Sequence, residues 1–282
     1  MKTISAISEI RRSLQPFRND KKIGFVPTMG YLHEGHLSLI RKAKSECDIV
    51  VASIFVNPTQ FAPHEDFNRY PRDIERDSLL ASTAGCDILF VPTAEEMYPD
   101  GFSSYVTVEQ LSSVLEGKFR PTHFKGVTTV VAKLFNIIQP GVAYFGQKDA
   151  QQFIIIKKMV NELNMPVQIV VVPTMRESDG LAMSSRNVYL NPEERKNAVV
   201  LNQSLKLAET MIRSGERNSA AVISSMRELI QSKNPTQIDY IEIVNAKTLE
   251  SKSVLSGGDE ILIPLAVRFG STRLIDNIIL TV

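Results

Sequence analysis

Two histidines three residues apart, His33 and His36, stand where an apolar run meets an amphipathic one. The junction reads Pro27-Thr28-Met29-Gly30-Tyr31-Leu32-His33-Glu34-Gly35-His36. Ile23-Gly24-Phe25-Val26 precedes it, and residues 37–47 follow with helical spacing of apolar side chains. A strand running into a helix is therefore expected, with both imidazoles on one helix face. Gly35 removes a side chain between them, so a ligand can approach the backbone. The start of a helix adds N–H donors and the positive end of the helix dipole. This combination suits phosphate, and in particular the triphosphate of a nucleotide. The same spacing also fits a pair of metal ligands or solvated surface residues. The zinc-protease helix fits poorly, because it needs histidines at i and i+4 with glutamate beside the first.

The elements that position these residues read as alternating strands and helices. Strands are expected at 23–26, 49–56, 88–91, 142–145 and 167–172. Helical periodicity occupies 37–47, 73–84, 128–138 and 151–163. Continuous apolar strands alternating with helices predict an α/β fold with a doubly wound parallel sheet, Rossmann-like, over 1–174. Ligands of such sheets bind beyond the carboxyl ends of the strands. Thr28, Asn57 and Gly146-Gln147-Lys148 all fall there. After Pro173 a polar, glycine-containing stretch runs to Asn187. Asn191-Pro192-Glu193-Glu194 then predicts a capped helix start. Helices at 192–214 and 219–232 are expected to precede strands at 238–244, 260–268 and 272–279. This makes 175–282 a smaller α+β domain, expected to close over a nucleotide as a lid.

Bulk properties narrow the function. The 282 residues suggest about two domains, and 43% apolar residues suffice for their cores. Lys plus Arg is 32 against 31 for Asp plus Glu, which argues against a nucleic-acid or membrane-surface partner. The N-terminus lacks a signal-peptide core, and no apolar stretch reaches membrane-span length. Cys47 and Cys86 read as buried thiols in a reducing compartment, which points to the cytoplasm.

Further segments carry a resemblance. They are Asn57-Pro58-Thr59-Gln60-Phe61, Tyr70-Pro71-Arg72, His123-Phe124-Lys125-Gly126-Val127, the run from Tyr144 through Gly146-Gln147-Lys148-Asp149 to Gln152, and Arg176 to Asn187 with its Met183-Ser184-Ser185-Arg186 core. In this order they resemble the pantothenate synthetase (pantoate–β-alanine ligase) family over nearly the whole chain. The resemblance implies ATP-dependent condensation of pantoate with β-alanine, giving pantothenate, AMP and pyrophosphate through pantoyl adenylate. It implies His33, His36, Lys148, Ser184 and Arg186 as the catalytic set acting on phosphate. ATP would further meet Pro27, Thr28, Met29, Gly146, Gln147, Asp149, Met175 and Ser185. Pantoate would meet Met29, Asn57, Gln60, Phe61 and Gln152, the two glutamine amides holding its hydroxyl and carboxylate oxygens. Mg²⁺ is expected with ATP, mainly on phosphate oxygens, and Asp77 aligns with an acidic position near the metal. A homodimer through the first domain, around 106–120, is also implied.

Tyr31, Ala150 and Met175 depart from the residues common in the family at those positions. None removes a group needed for the chemistry. A nucleotidyltransferase that stops after AMP or CMP transfer would have no use for the Gln60/Gln152 pair or the second domain. A silent nucleotide-binding module could dispense with Lys148 or the histidines. A tRNA-charging enzyme would need a basic surface, which the charge balance argues against.

Overall fold

The computed structural model describes residues 1–63, 65 and 67–282. The chain divides into two compact units. One is Met1–Gly146 with Gln151–Pro173, and the other is Gln147–Ala150 with Thr174–Val282.

In the first unit β1 (Lys2–Ile4) is followed by α1 (Ile7–Leu14), β2 (Ile23–Thr28), α2 (Glu34–Glu46) and β3 (Ile49–Ile54). Next come α3 (Ile74–Thr83), β4 (Ile88–Phe90), α4 (Ala94–Met97), α5 (Glu116–Phe119), α6 (His123–Ile138), β5 (Val142–Gly146), α7 (Ala150–Glu162) and β6 (Gln168–Val172). The strands form one six-stranded sheet in the order β1-β4-β3-β2-β5-β6. Every pairing in it is parallel. The chain winds outward from β2 through β3 to β4, then resumes on the other side of β2 with β5. The order reverses between β2 and β5, and a crevice opens at the carboxyl ends of such a pair. Thr28 ends β2 and Gly146 ends β5.

The expected strands and helices all form, with shifted ends. Four elements are additional: the edge strand β1, α1, which buries Ile10 and Leu14, and the single-turn helices α4 and α5. Helix α6 begins at His123, not near 128, and buries most of its length. Phe25, Val26, Val50, Val51, Leu89 and Ala143 fill the sheet core. Fully burying a side chain such as Phe25 stabilises the fold by about 1.5–3 kcal/mol. Gly24 sits inside β2 because a Cβ there would lie 2.8 Å from Cys47 Sγ. Both cysteines are buried free thiols. Burial pushes the Cys86 thiol up to about 11.

The second unit contains α8 (Pro192–Asn197), α9 (Val200–Arg213), α10 (Ser219–Gln231), β7 (Gln237–Ile241), β8 (Val244–Asn245), β9 (Glu260–Phe269) and β10 (Thr272–Thr281). The sheet order is β10-β9-β7, with β8 also on β9, and all pairings are antiparallel. The helix expected over 192–214 is split. Around Ala198 the bonding tightens to i−3, with the Leu201 N–H donating to the Ala198 carbonyl at 3.1 Å. The Asn191–Glu194 capping box opens α8 as expected. Gly270 opens the β9–β10 turn with φ +55°, and a Cβ on it would strike Glu194 Oε1 at 2.1 Å. Leu201, Leu205 and Ile212 of α9 pack with Val222, Met226 and Ile230 of α10 and with Ile261, Ile263 and Leu265 of β9.

Candidate active site

The end of β2 is held before it turns. The Thr28 hydroxyl donates to the Ser53 carbonyl at 2.7 Å and accepts from the Gly30 N–H at 3.2 Å. Gly30 and Tyr31 then take positive φ values, +87° and +50°. This left-handed pair reverses the chain into α2, whose N-cap is His33. Pro27, Thr28 and Met29 are partly exposed along this edge.

Backbone N–H groups fix the tautomers of both histidines. The Gly35 N–H donates to His33 Nδ1 at 3.1 Å, and the His33 N–H donates to His36 Nδ1 at 3.3 Å. A backbone N–H can only donate, so each Nδ1 must carry a lone pair. Each neutral ring then bears its hydrogen on Nε2. The rings lie 4.1 Å apart with planes tilted by 34°. Two Nε2–H donors on adjacent rings at the start of a thirteen-residue helix are groups of the kind that bind phosphate oxygens.

Asp77, the residue aligned with an acidic position near the metal, holds the turn that precedes α2. Its side chain is 1% exposed, and its two oxygens accept from the Tyr31 N–H at 2.6 Å and the Leu32 N–H at 2.7 Å. Each oxygen thus accepts one backbone N–H. Among the described residues, no group of three or more His, Cys, Asp or Glu side chains is arranged to hold a metal ion.

Asn57 is anchored inside the protein. It is 1% exposed, and every polar position on its amide is used inside the protein. Nδ2 donates to Gln60 Oε1 and to the Gly126 carbonyl, both at 3.1 Å. Oδ1 accepts from the Tyr98 hydroxyl at 2.8 Å and from Thr59 Oγ1 at 3.0 Å. Asn57 therefore orients Gln60 and has no capacity left for a ligand. With Oε1 held, the Gln60 NH₂ faces the Met29 side, 2.9 Å from its sulfur. That orientation leaves a donor for a carboxylate.

Helix α6 backs this arrangement. A Cβ on Gly126 would come within 2.5 Å of the Thr59 carbonyl, so only glycine lets α6 lie against the Pro58–Gln60 turn. His123 Nδ1 lies 3.0 Å from the Gln60 carbonyl. Burial, with the Arg120 charge beside it, lowers the His123 pKa to about 4, so this ring is neutral at pH 7. Arg120 pairs with Glu65 through two bonds of 2.6 and 2.8 Å. Phe61 meets Phe67 and Tyr70 edge-on, at 5.5 and 6.2 Å between ring centres. Gln152 is half-buried, whereas its neighbour Gln151 is buried and structural, bonding the backbone of Leu111, Val114 and Glu116.

The second unit presents its own basic and hydroxyl groups. Gln147–Asp149 form a single 3₁₀ turn, with Gln147, Lys148 and Asp149 half-buried. Asn277 on β10 donates to the carbonyls of Gln147 at 3.0 Å and Lys148 at 2.8 Å. It thereby fixes the backbone that carries the Lys148 ammonium.

The stretch from Met175 to Asn187 is a tight, ion-paired turn. Met175, 37% exposed, accepts from the Met183 N–H at 3.0 Å. Arg176 grips the buried Asp276 through bonds of 2.6 and 3.0 Å. Arg195 spans Asp179 and Glu177, each at 2.7 Å. The Arg195 hydrogen bond holds the Asp179 carboxyl below its ordinary range. Glu177 also accepts from Asn187 at 2.9 Å. On this frame Ser184 caps a short 3₁₀ helix by accepting from the Arg186 N–H at 3.2 Å. Ser185 is buried beside it, and Arg186 is half-buried.

Sequence inspection alone did not find Asn277 or Asp276. A signal was present: two polar residues interrupt the apolar pattern of β10, and both are buried.

Comparison with known proteins bears on these groups together. Residues 2–279 match the family model described as pantoate-beta-alanine ligase. A pantothenate synthetase of Acetivibrio thermocellus is 56% identical over 283 aligned positions, covering all of both chains. The crystal structure of pantothenate synthetase from Thermus thermophilus superposes with a TM-score of 0.93 at 48% identity, covering 99% of each chain. A pantoate-beta-alanine ligase from Francisella tularensis, complexed with beta-gamma ATP and beta-alanine, superposes with a TM-score of 0.82 at 36% identity, covering 99% of this chain and 97% of that one.

Proposed function

We propose that this chain, which belongs to the pantoate-beta-alanine ligase family and condenses pantoate with β-alanine using ATP, does so through a pantoyl-adenylate intermediate with the histidine pair acting on the α-phosphate. The observation that carries this reading is the tautomer of the pair: both Nδ1 atoms accept backbone N–H groups, so both Nε2–H groups serve as donors.

A carboxylate is a poor acceptor for an amine at neutral pH and must first be activated. Pantoate's carboxylate oxygen attacks the α-phosphorus of ATP, and the bond to the bridging oxygen breaks. Pyrophosphate leaves with that electron pair. The amine of β-alanine then attacks the acyl carbon, AMP leaves, and the amine loses a proton. No protein nucleophile is needed, so catalysis rests on positioning and charge stabilisation.

His33 and His36 donate to phosphate oxygens as charge develops. Lys148 supplies a compact positive charge, and Ser184, Ser185 and Arg186 supply hydroxyls and a guanidinium fork for the β- and γ-phosphates. Gln60 and Gln152 hold pantoate, beside Met29 and Phe61. Neutral amides orient a carboxylate without blunting its attack. Pro27, Thr28, Gly146, Gln147, Asp149 and Met175 border the nucleotide. Mg²⁺ would enter with ATP, offset the charge on its triphosphate and need few protein ligands.

Adenylation needs no amine. Exchange of labelled pyrophosphate into ATP is therefore expected with Mg²⁺, ATP and pantoate alone, and not when pantoate is withheld. Gln152→Ala lowers this exchange with a smaller effect on ATP binding. Appearance of ADP and phosphate in place of AMP and pyrophosphate would mean an acyl phosphate and sink the adenylate reading.

A two-fold homodimer through the first unit, around 106–120, goes with this function. Tyr105 and Phe119, flanking and ending that stretch, are 48% and 41% exposed. Sedimentation equilibrium should give a mass of twice 31.5 kDa. A monomer at every concentration refutes it.

A further inference from the structure

We propose that Asp77 is a positioning residue for the histidine pair, acting by clamping the left-handed turn that sets where α2 begins; the proposal rests on the reading of His33 and His36 as phosphate donors.

The turn needs an external partner. Gly30 and Tyr31 both have positive φ, and the second of these is a conformation that side-chain-bearing residues rarely adopt. A chain reversed in this way aims consecutive N–H groups, those of Tyr31 and Leu32, in one direction. Leu32 is fully buried, so its N–H has no access to water. One carboxylate reaches from α3, forty-five residues later, and takes both hydrogens, at 2.6 and 2.7 Å. Charged acceptors make the stronger hydrogen bonds, and both are short.

The neighbours tighten the clamp. Arg76 lies over the Tyr31 ring at 5.1 Å from its centre, while its Nη1 is 3.5 Å from Asp77 Oδ1. The turn is thus gripped at its ring and at its amides by adjacent residues of one helix. Gly30 is required by the same clamp, since a Cβ there would lie 3.1 Å from Asp77 Oδ2 and 2.8 Å from Ile54 Cγ2. Asp73 fixes the start of α3 by accepting from the Arg76 N–H at 3.1 Å. His33 follows Leu32 directly. A shift of the turn therefore moves the His33 N–H that His36 Nδ1 accepts, and both imidazoles move with it. A displacement of about 1 Å in groups that orient a reaction can slow it on the order of 10²-fold.

Asp77→Asn is the informative substitution. It keeps size and shape but places an NH₂ against one of the two N–H donors. The expected result is a roughly 10–100-fold lower kcat for pantoate-dependent pyrophosphate exchange, with the KM for ATP changed much less. The Mg²⁺ concentration for half-maximal exchange should not move. Exchange at the parent rate overturns the proposal, and so does a tenfold or larger rise in the Mg²⁺ requirement, which marks a metal ligand. Should the variant fail to fold, amide exchange of the parent protein decides. The Tyr31 and Leu32 amides, selectively ¹⁵N-labelled, are expected to be strongly protected from hydrogen exchange, and exchange at open-loop rates overturns the clamp. His33→Ala and His36→Ala are measured alongside. If both lose exchange while Asp77→Asn keeps it, only the positioning role fails. If both keep it, the phosphate reading fails and the proposal falls with it.

Discussion

His36→Ala will form pantoyl adenylate roughly 10²–10³-fold more slowly than the parent while remaining folded. The expected size follows from what the ring does in each state. In the resting protein, His36 Nδ1 accepts one hydrogen bond, 3.3 Å from the His33 N–H at the N-cap of α2. Losing a cap of this kind costs about 1 kcal/mol, a modest fall in Tm. On the proposed mechanism, Nε2–H faces charge growing on the α-phosphate oxygens in the transition state, and losing such a donor raises the barrier directly. The two roles separate in a second variant. His36→Asn restores a short acceptor near the Nδ1 position but has no donor at the reach of Nε2. It should recover the Tm and not the rate. Single-turnover quenching with ATP and pantoate measures the rate, and thermal melting measures the fold. A normally melting His36→Ala with near-parent adenylation removes the ring from the chemistry.

The parallel sheet was legible because its physics is local. Ile23 to Val26, Ile49 to Ile54 and Val142 to Phe145 are continuous apolar runs, as strands buried on both faces must be. Strand β1 was not legible, because three residues at a sheet edge give no pattern to read. Helix α6 began earlier than expected because Gly126, a weak helix former, reads as a breaker. In the fold it is the contact point with the Pro58–Gln60 turn.

The site divides in the same way. The position of His33 and His36 at a strand-to-helix joint was legible from the residues immediately around them. Their tautomers were not, because these depend on backbone geometry that composition does not encode. Asn57 reads as a ligand-facing amide until its partners Tyr98 and Gly126, distant in sequence, are known. Asp77 reads as an acidic residue near a metal, and nothing around it in the sequence shows that it accepts the Tyr31 and Leu32 amides. In both cases the bonds that the side chain makes inside the protein were not legible, because the partners come from elsewhere in the chain.

Lys148→Ala is expected to lower adenylate formation by roughly 10²–10³-fold and to leave the second half-reaction much less affected. During adenylation negative charge gathers on the departing pyrophosphate, and in the proposed mechanism the Lys148 ammonium offsets it. When pantoyl adenylate meets β-alanine, no pyrophosphate is formed, so the same charge contributes less. The measurement compares pantoate-dependent pyrophosphate exchange with the consumption of supplied pantoyl adenylate by β-alanine. Lys148→Arg should not restore the rate, since a planar fork presents its donors in a different geometry from a point charge. Asn277→Ala probes the same ammonium from behind. It keeps Lys148 but deletes the two hydrogen bonds, at 3.0 and 2.8 Å, that hold the Gln147 and Lys148 carbonyls. Each such bond contributes about 1 kcal/mol. The variant should lose adenylation on the order of tenfold, with β-alanine transfer again spared. The ranking Lys148→Ala below Asn277→Ala below parent, confined to the first half-reaction, is the expected pattern. Equal losses in both half-reactions would show that the turn only supports the fold, and an unchanged first half-reaction in Lys148→Ala would take the ammonium out of the mechanism.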